Sequence, residues 1–516
     1  MKKSNNCSKM KRNKLLCTTL VALFLTASSA LAENVGLPNP IIPGFHPDPS
    51  ICRVGNDYYL VNSSFQYFPG VPLYHSTDLV HWEQITNILT RPSQLPLKGA
   101  DSWLGIYAPT LRYHDGTFYL ITTNVGGGGN FIVSATDPYG PWSEPRWLKQ
   151  GGIDPSLYWE DGRCYMVSNP DDGIWLCQIN PDTGEQLTKS VLLWTGMGGR
   201  YPEGPHIYKK DGYYYLLISE GGTELAHSLT IARSRNIEGP YEPNPDNPIL
   251  TNCCQRGQTL QVQGTGHGDF VQAVDGSWWI TFLAYRNFGG AYHHLGRETF
   301  LAPVEWPEGG WPVVNSGAPV DTAHVAPSQR LFAQPFTHPA WVHLQNPIPA
   351  NYEFLDDGTL RLHAGRPLIE NSQPTFIGCR QEAAVIVAEV DVTLTERGGR
   401  DEAGISVYQI YDGYQNLCVS RFGKGYSVKL DARLKSMQDT QMRMLRSNHA
   451  RLRVTSDGNT YTYQFSEDEG QTWQTVGSHA CTLVSTEVAG GFTGVVIGLY
   501  AAGNPDSYAD FKVILP

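Results

Sequence analysis

The chain has 516 residues, too many for one compact core, and its length favours two domains. With 49 acidic against 38 basic residues its formal charge is −11, and an acidic exterior repels phosphate backbones and anionic membranes. Nucleic acid and lipid are disfavoured as partners, and a neutral ligand fits better.

Residues 1–32 read as an export signal. Lys2, Lys3, Lys9, Lys11, Arg12 and Lys14 precede an apolar run from Leu15 to Leu25, and small residues end at Ala30-Leu31-Ala32. Cleavage before Glu33 removes six basic residues and no acidic one, leaving a still more acidic chain destined for the periplasm or the exterior. No later stretch approaches the roughly 20 apolar residues of a membrane span, so no membrane insertion is expected. The remaining cysteines lack paired Cys-x-x-Cys spacing and are sparse for a disulfide scaffold; the bonding of the vicinal pair Cys253-Cys254 stays open.

Helical periodicity is scarce, while short aromatic and β-branched runs alternate with Gly, Pro, Asn and Asp turns, which predicts an all-β protein. A turn followed by an aromatic strand recurs at Asn56-Asp57-Tyr58-Tyr59, Asp115-Gly116-Thr117-Phe118-Tyr119, Asp161-Gly162-Arg163-Cys164-Tyr165, Asp211-Gly212-Tyr213-Tyr214 and Asp275-Gly276-Ser277-Trp278-Trp279. The copies lie roughly 45 to 65 residues apart, the size of a four-stranded propeller blade. A second turn, closed by an aromatic residue, follows three of them: Ser76 to Trp82, Ala135 to Trp142 and Ser234 to Tyr241. These repeats predict a five-bladed β-propeller over 33–325, the rival being a β-sandwich with repeated hairpins. After Val304 the repeat lapses into Trp306-Pro307-Glu308-Gly309-Gly310-Trp311-Pro312. Cleanly alternating strands such as Tyr461-Thr462-Tyr463-Gln464-Phe465 then predict a β-sandwich over 326–516.

The first strand of each blade lines the central channel, so residues about ten positions ahead of each aromatic pair should point to the axis. Those positions hold Asp48, Tyr107, Asp154, Glu203 and His267. Like charges crowded in a shielded channel raise one another's pKa, an arrangement that stability alone would avoid. Glycoside hydrolysis needs it: one protonated carboxyl to give a proton to the leaving oxygen, one carboxylate to activate water or attack carbon. Each acid taken singly could as well cap a turn or accept buried backbone hydrogen bonds.

Three segments, Gly44-Phe45-His46-Pro47-Asp48-Pro49-Ser50-Ile51, Gly152-Ile153-Asp154-Pro155-Ser156-Leu157 and Glu203-Gly204-Pro205-His206, resemble the active-site signatures of family 43 glycoside hydrolases. Ser64-Phe65-Gln66-Tyr67-Phe68-Pro69-Gly70-Val71, Gly266-His267-Gly268-Asp269 and His294-Leu295-Gly296-Arg297-Glu298-Thr299 resemble its β-xylosidase branch, whose members join a five-bladed propeller to a concanavalin-like sandwich. The resemblance implies inversion, with Asp48 as general base, Glu203 as general acid and Asp154 tuning and orienting the acid. It implies that Arg297 hydrogen-bonds sugar hydroxyls, the rival being a salt bridge to the adjacent Glu298. It makes Phe65 an aromatic wall of the sugar subsite, the rival being ordinary core packing, and makes Phe492, in Gly490-Gly491-Phe492-Thr493-Gly494, a closure that turns the site into a blind pocket, the rival being a simple Gly-rich hairpin. It requires no cofactor for the chemistry. A structural calcium held through water near His267 is consistent with it, although one imidazole suits calcium poorly and a satisfied inner histidine is the rival. The function so implied is exo-acting release of xylose from β-1,4-xylo-oligosaccharides. Removal of arabinose as an α-L-arabinofuranosidase, endo-acting cleavage of arabinan and non-catalytic carbohydrate binding are the alternatives. Ser466-Glu467-Asp468-Glu469-Gly470-Gln471-Thr472-Trp473 has Asp-box form but occurs once, outside the propeller, and reads as a turn device.

Overall fold

Each of the five aromatic turns closes a hairpin between the first and second strands of a four-stranded unit, as in Ser50–Val54 with Asp57–Val61 and Glu203–Lys210 with Tyr213–Glu220. The computed structural model describes residues 37–322 and 327–514, so the export signal read in 1–32 lies outside the described residues. The three aromatic-closed second turns lead from the third strand to the fourth, for example between Gly70–Ser76 and Glu83–Leu89, where Trp82 Nε1 donates to Leu79 O at 2.9 Å.

The first strands pack side by side around a ring, with Val262–Gln272 returning onto Ser50–Val54, which makes the five sheets a closed propeller. Middle strands are buried on both faces because a blade lies to either side. Thr117–Val125 is interior throughout apart from its two ends, which removes the alternation a half-exposed strand would show. The ring is latched by the segment just ahead of its first strand. Ile42 bridges Thr299, and the Asn39 side chain donates to Leu301 O at 2.8 Å and accepts from Leu301 N at 2.9 Å.

Residues 327–514 supply eight strands of one sheet and seven of a second, packed as a sandwich. Here alternation is regular: in Val385–Thr395 every second residue from Ile386 to Leu394 is buried, and these side chains meet Leu452, Val454, Tyr461 and Tyr463 in the core. The Asp-box segment turns the chain between the paired strands Thr460–Ser466 and Gln474–Ala480, where Asp468 accepts from Ser466 Oγ at 2.6 Å and from Thr472 N at 2.8 Å. The eight cysteines of the described residues, Cys253 and Cys254 among them, are unbonded to one another.

One strand crosses between the units. Tyr67–Phe68, which sits between the first blade's second and third strands, pairs antiparallel with Val342–Leu344 and so forms the edge of a sandwich sheet. Phe45, Phe65 and Tyr67 pack there in one buried cluster with Phe376, Tyr408 and Tyr500. The sandwich is thus joined to the propeller beside the mouth of the axial channel.

Candidate active site

The axial residues reach the channel through irregularities in the first strands. Asp48, Asp154 and His267 adopt left-handed backbone, with φ of 53°, 52° and 49°, a conformation uncommon for residues other than glycine. The ladder shifts register between Ile153 and Ser156, between Glu203 and His206, and on both sides of Gly266. Such bulges bend a strand and re-aim a side chain. The second blade differs: its first strand is broken into Gly105–Ile106 and Thr110–His114, and Tyr107 lies in the break.

These residues line one cavity of about 390 Å³, at the small end of the roughly 300–1,000 Å³ usual for ligand pockets. Asp48, Tyr107, Asp154, Glu203, His267, Phe65, Arg297 and Phe492 all face it. Every site residue singled out in the sequence is therefore brought together, the last from the sandwich.

The carboxylates have different surroundings. Asp48 Oδ1 accepts from Arg297 Nη1 at 3.0 Å, Oδ2 accepts from the Ser63 hydroxyl, and His267 Nδ1 lies 3.8 Å from Oδ1. Burial alone would raise its pKa, but the Arg297 guanidinium, then His267 and Ser63, hold it below the usual carboxylate value. Among the described residues no cation is paired with Asp154. Burial, then the charges of Glu203 and Asp48, push it well above its ordinary value, against a single 3.3 Å hydrogen bond from Gly204 N and the weaker pull of Arg297. Glu203 is less enclosed, and its Oε1 lies 3.4 Å from Nε2 of the buried His227. The cavity thus holds a carboxyl whose pKa is pulled down, Asp48, beside one whose pKa is pushed up, Asp154.

Arg297 is not paired with its neighbour Glu298, which instead takes both arms of Arg286 at 2.6 and 2.7 Å. Its guanidinium donates to Asp48, to Thr223 Oγ1 at 3.1 Å and to Phe492 O at 3.2 Å. The Phe492 ring meets Trp103 edge-on at 4.7 Å between centroids and Phe65 at 5.9 Å. Two glycines permit this approach. A Cβ on Gly491 would lie 2.1 Å from Ser102 Oγ, and one on Gly494 would lie 2.2 Å from the Leu295 carbonyl oxygen.

The donors near His267 do not fit calcium, which takes six to eight oxygens. Asp48 is engaged by Arg297 and Ser63, and burial lowers the His267 pKa, leaving a neutral nitrogen donor. Asp269, on the same strand, is taken by Arg112 in two hydrogen bonds of 2.7 and 3.0 Å, by Ser50 Oγ, by Ile51 N and by Tyr208 Oη. Among the described residues no group of three or more His, Cys, Asp or Glu side chains could hold a metal ion. The protein atoms around His267 therefore do not make a direct calcium site, and the ring packs under Gly204 as an inner histidine.

Sequence reasoning missed several contributors. Ser63, Thr223 and His227 carry no pattern of their own, and Trp103, Tyr201, Asp171, Asp172 and Glu224 reach the cavity from loops. Glu220 is 2 % exposed and accepts from the Met197 and Gly199 N–H groups at 2.9 Å, shaping the loop that leads into Glu203. The Asp269 hub ties the first, second and fourth blades to the fifth; its position in Gly266-His267-Gly268-Asp269 was the available signal.

Comparison with known proteins agrees with this geometry. Residues 37–312 match the family model "Glycosyl hydrolases family 43", and residues 329–514 match "Beta xylosidase C-terminal Concanavalin A-like domain". The chain is 40 % identical to the non-reducing end alpha-L-arabinofuranosidase of Bacteroides ovatus, over 96 % of each chain. It is 39 % identical to a xylosidase/arabinosidase of Butyrivibrio fibrisolvens, over 92 % of this chain and 98 % of the relative. The crystal structure of xylan beta-1,4-xylosidase from Bacillus halodurans superposes with a TM-score of 0.85 at 34 % identity, covering 92 % of this chain and 99 % of that one. Propeller, sandwich, acid cluster and family models agree, and the chain belongs to glycosyl hydrolases family 43, a glycoside hydrolase with a concanavalin A-like C-terminal domain.

Proposed function

We propose that the chain is an exo-acting, inverting hydrolase that releases xylose from the non-reducing ends of β-1,4-xylo-oligosaccharides. The observation that carries this reading is the cavity itself, in which Asp48, paired with Arg297, shares a small pocket with Asp154 and Glu203, crossed on one side by Phe492. A chain end fits such a pocket, whereas endo-acting cleavage needs an open groove.

In this reading Asp48 takes a proton from water as its oxygen attacks the anomeric carbon, while Glu203 gives a proton to the glycosidic oxygen as the carbon–oxygen bond breaks. Arg297 keeps Asp48 ionised and presents its remaining donor capacity to sugar hydroxyls. Asp154, by accepting from Gly204 N, fixes the backbone next to the acid. Trp103 and Tyr201, 43 % and 59 % exposed at the mouth, offer aromatic faces to the departing part of the chain.

The test is Glu203→Ala assayed on xylobiose and on aryl xylosides of graded leaving-group ability. Loss of roughly 10²- to 10⁴-fold is expected on xylobiose and much less where the leaving group needs no proton. Equal loss throughout removes the acid assignment, and a first product of retained configuration by proton NMR removes inversion. The 40 % identical arabinofuranosidase favours a second reading, removal of arabinose from arabinoxylan or arabinan. Comparing kcat/KM on aryl β-xyloside and aryl α-L-arabinofuranoside decides between them, and turnover of neither leaves carbohydrate binding without catalysis.

A further inference from the structure

The sheet that takes Tyr67–Phe68 as one edge ends, at its other edge, on Met437–Leu445, which pairs only with Gly425–Leu434 among the described residues. An open sheet edge is a template for pairing with another chain, and proteins that stay monomeric blunt such edges with short strands, bulges, proline or lysine. This edge carries none of those devices. Its nine residues run without a register shift, hold no lysine or proline, and balance one Asp against one Arg. All are exposed except the half-buried Gln441 and the buried Leu445, and Met437, Met442 and Met444 are 64 %, 41 % and 60 % exposed. The connection from Leu434 is two residues long, so Leu434 and Met437 form a hydrogen-bonded pair. By alternation Gln438, Thr440, Met442 and Met444 turn their N–H and C=O groups to the open side.

The strand is self-complementary about Gln441. Laid antiparallel on a second copy with the two-fold axis at that residue, it sets Thr440 opposite Met442 and Gln438 opposite Met444, so outward-turned backbone meets outward-turned backbone. The same register sets Asp439 opposite Arg443, in both directions, and Met437 opposite Leu445. Moving the axis to Thr440 or to Met442 leaves both charges facing neutral side chains. Within its own chain Arg443 has no carboxylate partner among the described residues: Nη1 donates to Met442 O at 2.8 Å and Nη2 to Val476 O at 3.3 Å. Asp439 Oδ2 accepts from Gln441 Nε2 at 3.1 Å and lies 3.6 Å from His479 Nε2. We propose that the protein is a two-fold dimer in which this edge strand pairs with its own counterpart in a second copy, centred on Gln441, with reciprocal Asp439–Arg443 ion pairs fixing the register. On pairing, Arg443 releases the Met442 carbonyl, which then accepts from the Thr440 N–H of the second copy. Opposite charges facing across strands favour pairing and like charges oppose it, and a two-fold contact repeats every pair, so one substitution acts twice.

Sedimentation velocity of the whole chain between about 1 and 100 µM reads the association, with the thermal midpoint of each variant as the check on folding. Wild type should show a concentration-dependent dimer. Arg443→Asp and Asp439→Arg should each raise the dimer Kd by about 10-fold or more, and the double variant Asp439→Arg with Arg443→Asp, which restores opposite charges, should return to within about 3-fold of wild type. Met442→Pro removes an outward N–H without touching the ladder to Gly425–Leu434 and should also weaken the dimer. A wild type monomeric at about 100 µM, single variants that leave Kd unchanged, or a double variant no tighter than the singles overturns the proposal. Cross-linking reads the register with both charges in place. Gln441→Cys should join its counterpart under air oxidation, because residues directly opposite have Cβ atoms about 5 Å apart, whereas Gln438→Cys, opposite Met444, should not. Cross-linking of both variants alike, or of neither, overturns the pairing.

Discussion

The contact between the Gly490–Gly494 loop and the fifth blade sets a quantitative expectation for Gly494→Ala. A Cβ at this position would lie 2.2 Å from the Leu295 carbonyl oxygen and 2.5 Å from its carbon, both backbone atoms that no rotamer change can move. Ordinary van der Waals contact begins at 3.4 Å, so the loop must retreat by about 1 Å. Phe492, two residues away, carries the carbonyl that accepts from Arg297 Nη2 at 3.2 Å, and the same guanidinium holds Asp48. Displacement by about 1 Å at a site of this kind costs up to about 10²-fold in rate. The assay is kcat/KM on an aryl xyloside beside the thermal midpoint, with Gly399→Ala as control, because a Cβ there meets nothing within 4 Å. A large fall in kcat/KM with the control unchanged is expected. Activity within about 3-fold of wild type would refute the idea that this close approach positions the pocket.

Removing the cation beside the base should move the acidic limb of the pH profile. In Arg297→Met, burial of Asp48 is opposed only by its histidine neighbours and Ser63, its pKa rises, and kcat/KM falls away at a higher pH than in wild type; an unmoved limb contradicts this. Asp154→Asn removes a carboxyl whose folded pKa is raised. Wild type keeps that group's full stability contribution below the unfolded value of about 3.9 and loses it as pH climbs through the folded value. The variant should therefore melt above wild type at pH 7, with the gap closing towards pH 4, and a gap that widens in acid would reverse the sign.

Much of the fold was legible because its signals are local. Each Asp-Gly or Asn-Asp turn with an aromatic strand behind it makes a hairpin by itself, so five copies counted five blades, and period-two burial from Val385 to Thr395 matches the alternation that announced the sandwich. The sandwich edge strand Tyr67–Phe68 was not legible, since nothing in a strand of two residues says that its partner is Val342–Leu344, far along the chain. The acids were found by register for the same local reason: Asp48, Asp154 and Glu203 stand at matching offsets from their turns.

Turn position and strand length, both written in short stretches of chain, set which side chains stand at the axis. What each of them is chemically follows from contacts made only once the blades close and the sandwich docks. Arg297, arriving from the fifth blade, holds the Asp48 pKa down, burial and the charges of Glu203 and Asp48 push the Asp154 pKa up, and Phe492 reaches the pocket from the sandwich. Charge state and closure depend on burial and on neighbours hundreds of residues away, which no local pattern encodes.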